Sequence, residues 1–276
     1  MNIGIVGLGL MGGSLGLVLK KLPEKYTIIG YDHNPSHKTD ALHLKLVDKI
    51  ALDFNEIKTC DVIVLTIPVD AIITTAQQLI DVDAKCTIID FGSSKEKISK
   101  GIPNQIRQNF ITAHPMTGTE KFGPTAAFET LYDEKVMVIC DVEKSADYQK
   151  DIALTLFKDI NAKIVFMDAK AHDLHAAFIS HMPHAVAYAL AQSVMKQEDP
   201  KSILALAGGG FKDMSRIAKS SPNMWEDIFR QNKENLLESI DAFNTEMMLC
   251  KKLLEEENWD ELHQWMAEAN KLHDIL

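Results

Sequence analysis

The amino-terminal residues combine a glycine-rich turn and an acidic residue at the spacing of a dinucleotide site. Residues 7–12 read Gly-Leu-Gly-Leu-Met-Gly after an apolar run at 2–6, and a second apolar run at 27–31 ends at Asp32. Glycine lets the backbone approach a pyrophosphate, a helix amino terminus offers free N–H groups, and a carboxylate accepts hydrogen bonds from a ribose diol. The residues predicted to bind the cofactor here are Gly7, Gly9, Leu10, Met11, Gly12 and Asp32.

An ordinary turn between a strand and a helix is the alternative, because glycine-rich turns also close corners that bind nothing. The preceding strand, a helix expected at 13–21 and an acid about 20 residues further on are independent requirements, and together they favour a dinucleotide. Asp32 is followed by His33-Asn34-Pro35 without an arginine, and a ribose 2′-phosphate would meet its carboxylate as a like charge. The sequence therefore predicts NAD rather than NADP as the cofactor.

His114 is a candidate general base. It follows an apolar run at 110–113 that is predicted to be a strand, and a Thr-Gly-Thr-Glu turn at 117–120 comes soon after it. An imidazole, with an ordinary pKa of about 6.5, can take a proton at working pH, as a dehydrogenase requires when an alcohol loses hydride. The alternative is a structural histidine that is hydrogen-bonded to the backbone at a strand end.

Arg216 is a candidate ligand for a carboxylate. The chain contains only three arginines, so the guanidinium fork that grips a carboxylate through two hydrogen bonds is scarce. Arg216 follows a glycine turn at 208–210, and Lys212 adds a local positive charge to an acidic chain. This combination favours an anionic substrate. The alternative is a surface ion pair between Asp213 and Arg216.

Four histidines lie in one stretch that is predicted to be helical, at 171–194. At about 100° per residue, His181 and His184 share a face, whereas His172 and His175 are expected to point elsewhere, so no metal site is predicted. Pro183 removes a helix hydrogen bond and is expected to kink the helix at this point. For His184, a substrate contact and a purely structural role both stay open.

The elements that position these residues follow an α/β pattern. Apolar runs at 62–67, 87–91, 110–113, 136–140 and 163–167 alternate with helical patterns such as 69–80 and 146–160. This alternation predicts a mostly parallel, doubly wound Rossmann-type sheet, in which ligands bind beyond the carboxyl ends of the strands. The loops expected at that edge are Ile67-Pro68, residues 92–95 with Ser93, and His114-Pro115.

The chain is expected to divide into a nucleotide-binding domain at 1–167 and an all-helical domain at 168–276. Apolar residues recur every four residues from 174 to 194, and at alternating steps of four and three from 236 to 254. The second series resembles a coiled-coil seam, so its helix is predicted to pack along another helix. A homodimer through this domain is favoured, and a monomeric helical bundle is the alternative. Residues 258–276 are predicted to form one more amphipathic helix.

Composition limits the classes of partner and location. The 276 residues carry a formal charge of −10, which argues against nucleic acid or an anionic membrane surface as a partner. The four cysteines are widely spaced, and three lie in or beside apolar runs, as expected for buried reduced thiols of a cytoplasmic protein. The first strand begins at residue 2 and no apolar run approaches about 20 residues, so neither a signal peptide nor a membrane span is expected.

Five motifs, in order along nearly the whole chain, resemble those of the prephenate dehydrogenases of tyrosine biosynthesis. The motifs are GLGLMGGS at 7–14, DFGSSK at 90–95, HPMTGTE at 114–120, SHMPHA at 180–185 and GGGFKDMSRIA at 208–218. The resemblance implies oxidative decarboxylation of prephenate by NAD to 4-hydroxyphenylpyruvate, carbon dioxide and NADH. It also implies a dimer joined through the helical domains. In contrast to some relatives, this chain is expected to have neither a chorismate mutase segment before Met1 nor an ACT-type domain after Leu276.

The resemblance also implies roles for individual residues. His114 would accept the proton of the ring hydroxyl, Ser93 would support that hydroxyl and the nicotinamide, and Arg216 would bind a substrate carboxylate. His184 would contact the substrate, and Glu120 would belong to a polar network that controls access. The full set of residues expected at the substrate is Arg216, His184, Glu120, Thr119, Lys212 and Ser180.

Three other functions remain open at the level of sequence. The nearest is an arogenate or cyclohexadienyl dehydrogenase, whose substrate carries an amine in place of the keto group. A β-hydroxyacid dehydrogenase is a second alternative, although that class relies on a helix lysine and residues 171–194 contain none. A non-catalytic NAD-binding sensor is the third, and it would have no need for both His114 and Arg216.

Overall fold

An eight-stranded sheet organises the amino-terminal part of the computed structural model, which describes residues 1–22, 24–197 and 199–275. Within these residues the strand order is β3-β2-β1-β4-β5-β6-β7-β8, and each neighbouring pair is parallel except β6 and β7. This confirms the predicted doubly wound sheet. The strands are β1 (Asn2–Val6), β2 (Thr27–Tyr31), β3 (Lys49–Ile50), β4 (Val62–Leu65), β5 (Thr87–Asp90), β6 (Phe110–Pro115), β7 (Val136–Cys140) and β8 (Lys163–Met167).

Helices lie on both faces of this sheet, and further helices follow the last strand in the described part of the chain. The helices beside the strands are α1 (Leu10–Leu19), α2 (Pro35–His43), α3 (Phe54–Lys58), α4 (Val69–Gln78), α5 (Glu96–Gly101) and α6 (Asp147–Asp159). The helices after the last strand are α7 (Ala169–Ala176), α8 (Met182–Met195), α9 (Pro200–Ala205), α10 (Gly209–Ser215), α11 (Pro222–Gln231), α12 (Lys233–Glu255) and α13 (Trp259–Asn270).

Two buried layers sandwich the sheet, because successive side chains of a strand point to opposite faces. One layer packs Ile5 of β1 and Val64 of β4 against Leu15 of α1. The other packs Ile63 of β4 against Ile72 of α4. Burial on both faces explains why these strands are continuous apolar runs rather than alternating ones.

Two glycine segments differ from the sequence-based predictions. The first helix was expected at 13–21, but α1 begins at Leu10, because Gly9 is its N-cap and the end of the glycine motif forms the first helical turn. The predicted turn at 208–210 is wrong in a similar way, since Gly208 is an N-cap and α10 starts at Gly209. Glycine is tolerated at a helix start, where the backbone N–H groups have no helical partner in any case. Both glycine segments therefore present helix amino termini.

The long helix predicted at 171–194 is interrupted. A π-helical turn, Ala177–His181, separates α7 from α8, and Pro183 lies in the first turn of α8. Proline cannot donate a backbone hydrogen bond, and a π turn accommodates the resulting break in the ladder. The irregularity predicted at Pro183 is thus present, as a π turn before the proline.

The chain divides into two compact units, residues 1–232 and 233–276. In the second unit α12 packs against α13, where Leu249 and Leu253 line a groove with Trp265, and the indole N–H of Trp265 donates to Glu246 at 2.7 Å. None of the described helices is both long and apolar enough to cross a membrane. The domain boundary at 167 stays a prediction, and Leu276, at the end of the predicted last helix, lies outside the described residues.

Gly12→Ala is expected to destabilise the ligand-free protein, whereas Gly9→Ala is not. A Cβ atom at Gly12 would lie 1.9 Å from the carbonyl oxygen of Gly7, while one at Gly9 would meet nothing within 4 Å. Overpacking against backbone costs about 1–3 kcal/mol, so urea unfolding of Gly12→Ala should show a loss of about 2 kcal/mol. Gly9→Ala should stay within about 0.5 kcal/mol of the wild type. Equal losses in the two variants would contradict this account.

Candidate active site

Four neighbouring parallel strands bring most of the predicted site residues to one edge of the sheet. β1, β4, β5 and β6 lie side by side, and the loops after the first three of them carry the glycine turn, Ile67-Pro68 and Ser93. His114 and Pro115 were predicted to form a loop, but they are the last two residues of β6, where they pair with β7. Thr66 closes part of this edge, because its Oγ1 donates to the carbonyl oxygen of Gly7 at 2.6 Å. The carboxyl edge of a doubly wound sheet is where ligands bind in this architecture.

The glycine turn has the shape that a pyrophosphate requires. Gly7 has a φ of +96°, and a Cβ atom there would lie 2.5 Å from the carbonyl oxygen of Thr66. Gly9 faces open space, and among the described residues no side chain caps the amino terminus of α1. The turn therefore combines tight packing on its inner side with an open outer side and unpaired N–H groups, which fits a dinucleotide phosphate.

Asp32 is tied to this turn by hydrogen bonds. The backbone N–H of Leu8 donates to its Oδ2 at 2.8 Å, and the N–H of Asn34 donates to its Oδ1 at 2.8 Å. The Nδ1 atoms of His33 and His37 lie 3.5 and 3.3 Å from the same two oxygens. The two backbone N–H groups fix the orientation of the carboxylate directly after β2, at the edge of the sheet that carries the glycine turn.

His114 is joined to a second imidazole. Its Nδ1 lies 2.8 Å from Nε2 of His172, and Nδ1 of His172 lies 2.8 Å from Oδ1 of Asp173. The carboxylate of Asp173 also accepts the backbone N–H groups of Lys95 and Glu96, at 2.7 and 2.9 Å. These contacts connect β6, the loop after β5 and α7 in one hydrogen-bonded chain.

This arrangement corrects one prediction and supplies residues that the sequence analysis missed. His172 was expected to point away from the site, but the turn of α7 brings it to the end of β6. His172 and Asp173 are both buried, at 2% exposure, in contrast to the exposed His175 one turn later. The available signal in the sequence was an acid directly after a histidine, at the start of the first helix after the sheet.

The environment keeps His114 neutral. Burial lowers the pKa of His114 well below its usual value, and His172, Lys95 and His181 lower it further, because a positive charge on any of them repels one on His114. The ammonium of Lys95 is fully buried, where it forms an ion pair with Asp90 and donates to the carbonyl oxygen of Ala113 at 2.7 Å. An imidazole with a lowered pKa stays unprotonated at neutral pH, as a proton acceptor must.

Arg216 lies close to the carboxylate of Glu120 rather than to that of Asp213. The guanidinium Nη1 lies 3.9 Å from Oε2 of Glu120, and 60% of the Arg216 side chain is exposed. No ion pair joins Asp213 to Arg216 in the described part of the chain, so the surface pair considered from the sequence is absent there. The long, exposed contact to Glu120 is weak, and the guanidinium is open to a carboxylate ligand.

His184 lies in an aromatic cluster close to this arginine. Its ring stacks on the indole of Trp225 with centroids 3.5 Å apart, and its Nδ1 donates to the carbonyl oxygen of Ser180 at 2.9 Å. Burial and the charge of Arg216 lower the pKa of His184. Because Nδ1 carries the hydrogen, Nε2 remains as an acceptor. The indole N–H of Trp225 is buried without a partner among the described residues.

His181 is buried beside the same indole. Its ring contacts Trp225 edge-on at 6.1 Å, and its Nδ1 lies 3.1 Å from the side-chain nitrogen of Asn232. Burial lowers the pKa of His181 to about 4. His181 is therefore neutral at pH 7.

The remaining predicted residues are present but less constrained. Ser93 is half-buried in the loop after β5, and Thr119 is exposed, with its hydroxyl accepting the N–H of Lys121 at 3.2 Å. Lys212 is exposed on α10. Among the described residues, no group of histidine, cysteine, aspartate and glutamate side chains could hold a metal ion.

Family models match nearly the whole chain. Residues 15–166 match a model described as prephenate dehydrogenase, nucleotide-binding domain. Residues 168–268 match a second model, described as prephenate dehydrogenase, dimerization domain. The first match begins after the glycine turn, so the geometry of that turn is a separate observation.

Individual relatives agree with these matches. The prephenate dehydrogenase of Bacillus subtilis (strain 168) is 31% identical over 99% of this chain and 75% of its own length. A cyclohexadienyl dehydrogenase of Zymomonas mobilis is 30% identical over 98% of this chain and 94% of its own length.

A solved structure is similar over the same extent. The crystal structure of prephenate dehydrogenase from A. aeolicus, in complex with hydroxyphenyl propionate and NAD+, has a TM-score of 0.92. It is 32% identical in sequence, with 100% of this chain and 98% of that chain covered. From these matches, together with the glycine turn and the histidine at the carboxyl edge of the sheet, the chain belongs to the prephenate dehydrogenase family.

Proposed function

We propose that this chain oxidises and decarboxylates prephenate with NAD, forming 4-hydroxyphenylpyruvate, carbon dioxide and NADH. The observation that carries the proposal is the position of His114, a neutral imidazole at the same sheet edge as the open glycine turn. Family membership and the similarity to a relative that binds NAD+ and hydroxyphenyl propionate support it.

His114 takes the part of the general base. Its Nδ1 is occupied by His172, which leaves Nε2 to accept a hydrogen bond from the ring hydroxyl of prephenate. Loss of hydride from the hydroxyl-bearing carbon and of carbon dioxide from the opposite carbon makes the ring aromatic. This gain drives the reaction, so a modest base is enough. Ser93, in the adjacent loop, supports the same hydroxyl.

The cofactor site is formed by the glycine turn and the neighbouring loop. Gly7, Gly9 and Gly12, with the backbone of Leu10 and Met11, hold the pyrophosphate, and Asp32 binds the adenosine ribose. Ile67, Pro68 and Ser93 border the nicotinamide. NAD supplies the hydride acceptor when it is bound.

The two carboxylates of prephenate account for the cationic groups Arg216 and Lys212. Arg216 binds one carboxylate, and Lys212 adds positive charge near it. His184 offers Nε2, a hydrogen-bonding atom, to the side chain of the substrate. Ser180 holds His184 in place, and Glu120 and Thr119 form a polar entrance beside Arg216.

Prephenate is preferred to arogenate as the substrate. Both family models and the B. subtilis relative carry the prephenate description, whereas the Z. mobilis relative is a cyclohexadienyl dehydrogenase. A non-catalytic NAD sensor is disfavoured, because such a protein has no use for a neutral base aligned by a buried carboxylate.

We also propose that the protein is a homodimer joined through a helical domain at 168–276, and that it works in the cytoplasm. The description of the carboxyl-terminal family model supports the dimer. So does the exposed apolar surface of α12 and α13, where Met247 is 51%, Met248 72% and Trp259 58% exposed. Helix surfaces of this kind are normally covered by a partner.

The wild-type protein should form NADH from NAD and prephenate, and His114→Asn should lower kcat by about 10²- to 10⁴-fold with little change in NAD affinity. Absorbance of NADH measures turnover with prephenate and with arogenate in parallel. A near-normal kcat in His114→Asn would remove this residue from the role of base. Faster turnover of arogenate would reverse the substrate assignment.

Arg216→Ala should raise the KM for prephenate by about 10-fold or more, because a hydrogen-bonded carboxylate loses its cationic partner. Arg230→Ala is the matched control, since Arg230 is equally exposed, at 61%, but is paired with Asp70 and Asp227. Steady-state kinetics should show an unchanged KM in the control. An unchanged KM in Arg216→Ala would mean that the carboxylate is bound elsewhere.

Met247→Lys should weaken the dimer by at least about 10-fold, because a charge would be buried in the helical interface. Leu52→Lys is the control, since Leu52 is 94% exposed in the first unit of the chain. Sedimentation velocity over a range of concentrations measures both variants. A wild-type protein that stays monomeric throughout would rule the homodimer out.

A further inference from the structure

The chain His114–His172–Asp173 has a fixed direction of hydrogen-bond donation. Asp173 accepts two backbone N–H groups, from Lys95 and Glu96, so its carboxylate is an acceptor on both oxygens. The Nδ1 atom of His172, 2.8 Å from Oδ1, must therefore carry the hydrogen of that contact. In neutral His172 the other nitrogen, Nε2, is then an acceptor.

The direction of donation also fixes the tautomer of His114. Since Nε2 of His172 accepts, Nδ1 of His114 at 2.8 Å must donate, and Nε2 of His114 is left without a hydrogen. This is the tautomer in which His114 can take a proton from a substrate hydroxyl. The opposite tautomer would present an N–H to that hydroxyl and could not act as a base.

We infer that His172 and Asp173 are positioning residues for His114. We also infer a two-step proton relay during turnover, in which His172 accepts the proton on Nδ1 of His114 after His114 has taken one from the substrate. The inference rests on the proposed function, because the relay is defined by the proton that His114 takes from the ring hydroxyl of prephenate. It adds a proton acceptor behind the base, and it assigns that acceptor to a residue that makes no direct contact with the reacting hydroxyl.

The proton movements balance without an outside acceptor. As hydride leaves the ring carbon, the O–H bond of the substrate breaks and an N–H bond forms at Nε2 of His114. The N–H bond at Nδ1 of His114 then breaks as one forms at Nε2 of His172. The products 4-hydroxyphenylpyruvate anion, carbon dioxide and NADH contain every hydrogen of the prephenate dianion, so both steps reverse and the phenolate oxygen recovers its proton.

Local charges explain why a second acceptor is useful. His114 is desolvated, and the buried ammonium of Lys95 also disfavours a positive charge on it. Moving the charge to His172 places it 2.8 Å from the carboxylate of Asp173. An imidazolium next to a hydrogen-bonded carboxylate is favourable in a buried site, whereas an isolated one is costly. The relay therefore lets a weak base hold a proton briefly.

Variants at His172 separate positioning from proton storage. In His172→Gln the side-chain oxygen can still accept from Nδ1 of His114 but cannot be protonated, whereas His172→Leu removes the acceptor altogether. His175→Gln is the control, because His175 is exposed on the same helix. We expect ¹⁵N-histidine NMR of the ligand-free protein to find His114 with its hydrogen on Nδ1 in the wild type, His172→Gln and His175→Gln, and to find the opposite tautomer populated in His172→Leu.

Single-turnover NADH formation with prephenate tests the relay itself. His172→Gln should slow this step by about 10- to 100-fold with little change in KM, and the control should keep the wild-type rate. The dependence of the rate on the fraction of D₂O in H₂O–D₂O mixtures should indicate that two protons move in the wild type. In His172→Gln it should indicate only one.

Two results would overturn the inference. The first is a wild-type His114 that carries its hydrogen on Nε2. The second is a His172→Gln variant with the wild-type single-turnover rate and the wild-type isotope response. Failure of the proposed function gives a different pattern, because a wild type without prephenate turnover would still show the Nδ1 tautomer of His114 by NMR.

Discussion

A single buried carboxylate holds the parts of this site in place. Asp173 accepts the N–H groups of the loop after β5 and, through His172, orients the histidine at the end of β6. Each of these groups is in a low-dielectric environment, where an unpaired donor or acceptor costs about 1–3 kcal/mol. The loop, the strand end and α7 therefore have one arrangement in which every partner is satisfied. The Asn232 side chain, which donates to the backbone oxygen of Asp173 at 2.6 Å, adds to this constraint.

Charge is distributed so that an acidic protein can act on an anion. The chain carries a net charge of −10, yet the residues proposed to face the substrate include a neutral imidazole, an exposed guanidinium and an exposed lysine. Lys95 is the exception, because its charge is buried and neutralised by Asp90. A buried pair of this kind adds little to stability by itself, but removal of one partner would leave an uncompensated charge. Its position below the end of β6 makes it part of the environment that lowers the pKa of His114.

Helix ends and a helix irregularity, as well as loops, position the residues of the site. On the cofactor side, the glycine motif makes the first turn of α1 and keeps the backbone close to the neighbouring strand. On the side proposed for the substrate, the π turn Ala177–His181 comes directly before the helix that carries His184. Such turns are frequent at functional sites, because they expose side chains and carbonyl groups that a regular helix would hold in its own hydrogen bonds. The Ser180 carbonyl that accepts from His184 lies within this turn.

Local patterns in the sequence were enough to predict the elements and the class of chemistry. Continuous apolar runs determined the buried strands, since only a sheet covered on both faces buries every side chain of a strand. The glycine spacing with Asp32 predicted the cofactor turn, because the positive φ of Gly7 and the close packing of Gly7 and Gly12 exclude a side chain at those two positions. Missed or shifted elements, such as the two-residue strand β3 and the start of α1, depend on hydrogen bonds that leave little trace in residue type.

Only the tertiary structure decided which side chains meet. The faces of residues 171–194 were predicted for one isolated helix. Such a prediction holds no information on neighbouring elements, and so not on the end of β6 beside His172. In the same way, Arg216 has an acid three residues before it in the chain but lies beside Glu120 in the fold. Residue types and periodicity act over a few residues, whereas contacts between distant segments follow from how strands and helices pack. The sequence alone therefore predicted the family and the cofactor and made His114 a candidate base, whereas the packing decided that His172 and Asp173 lie behind that histidine.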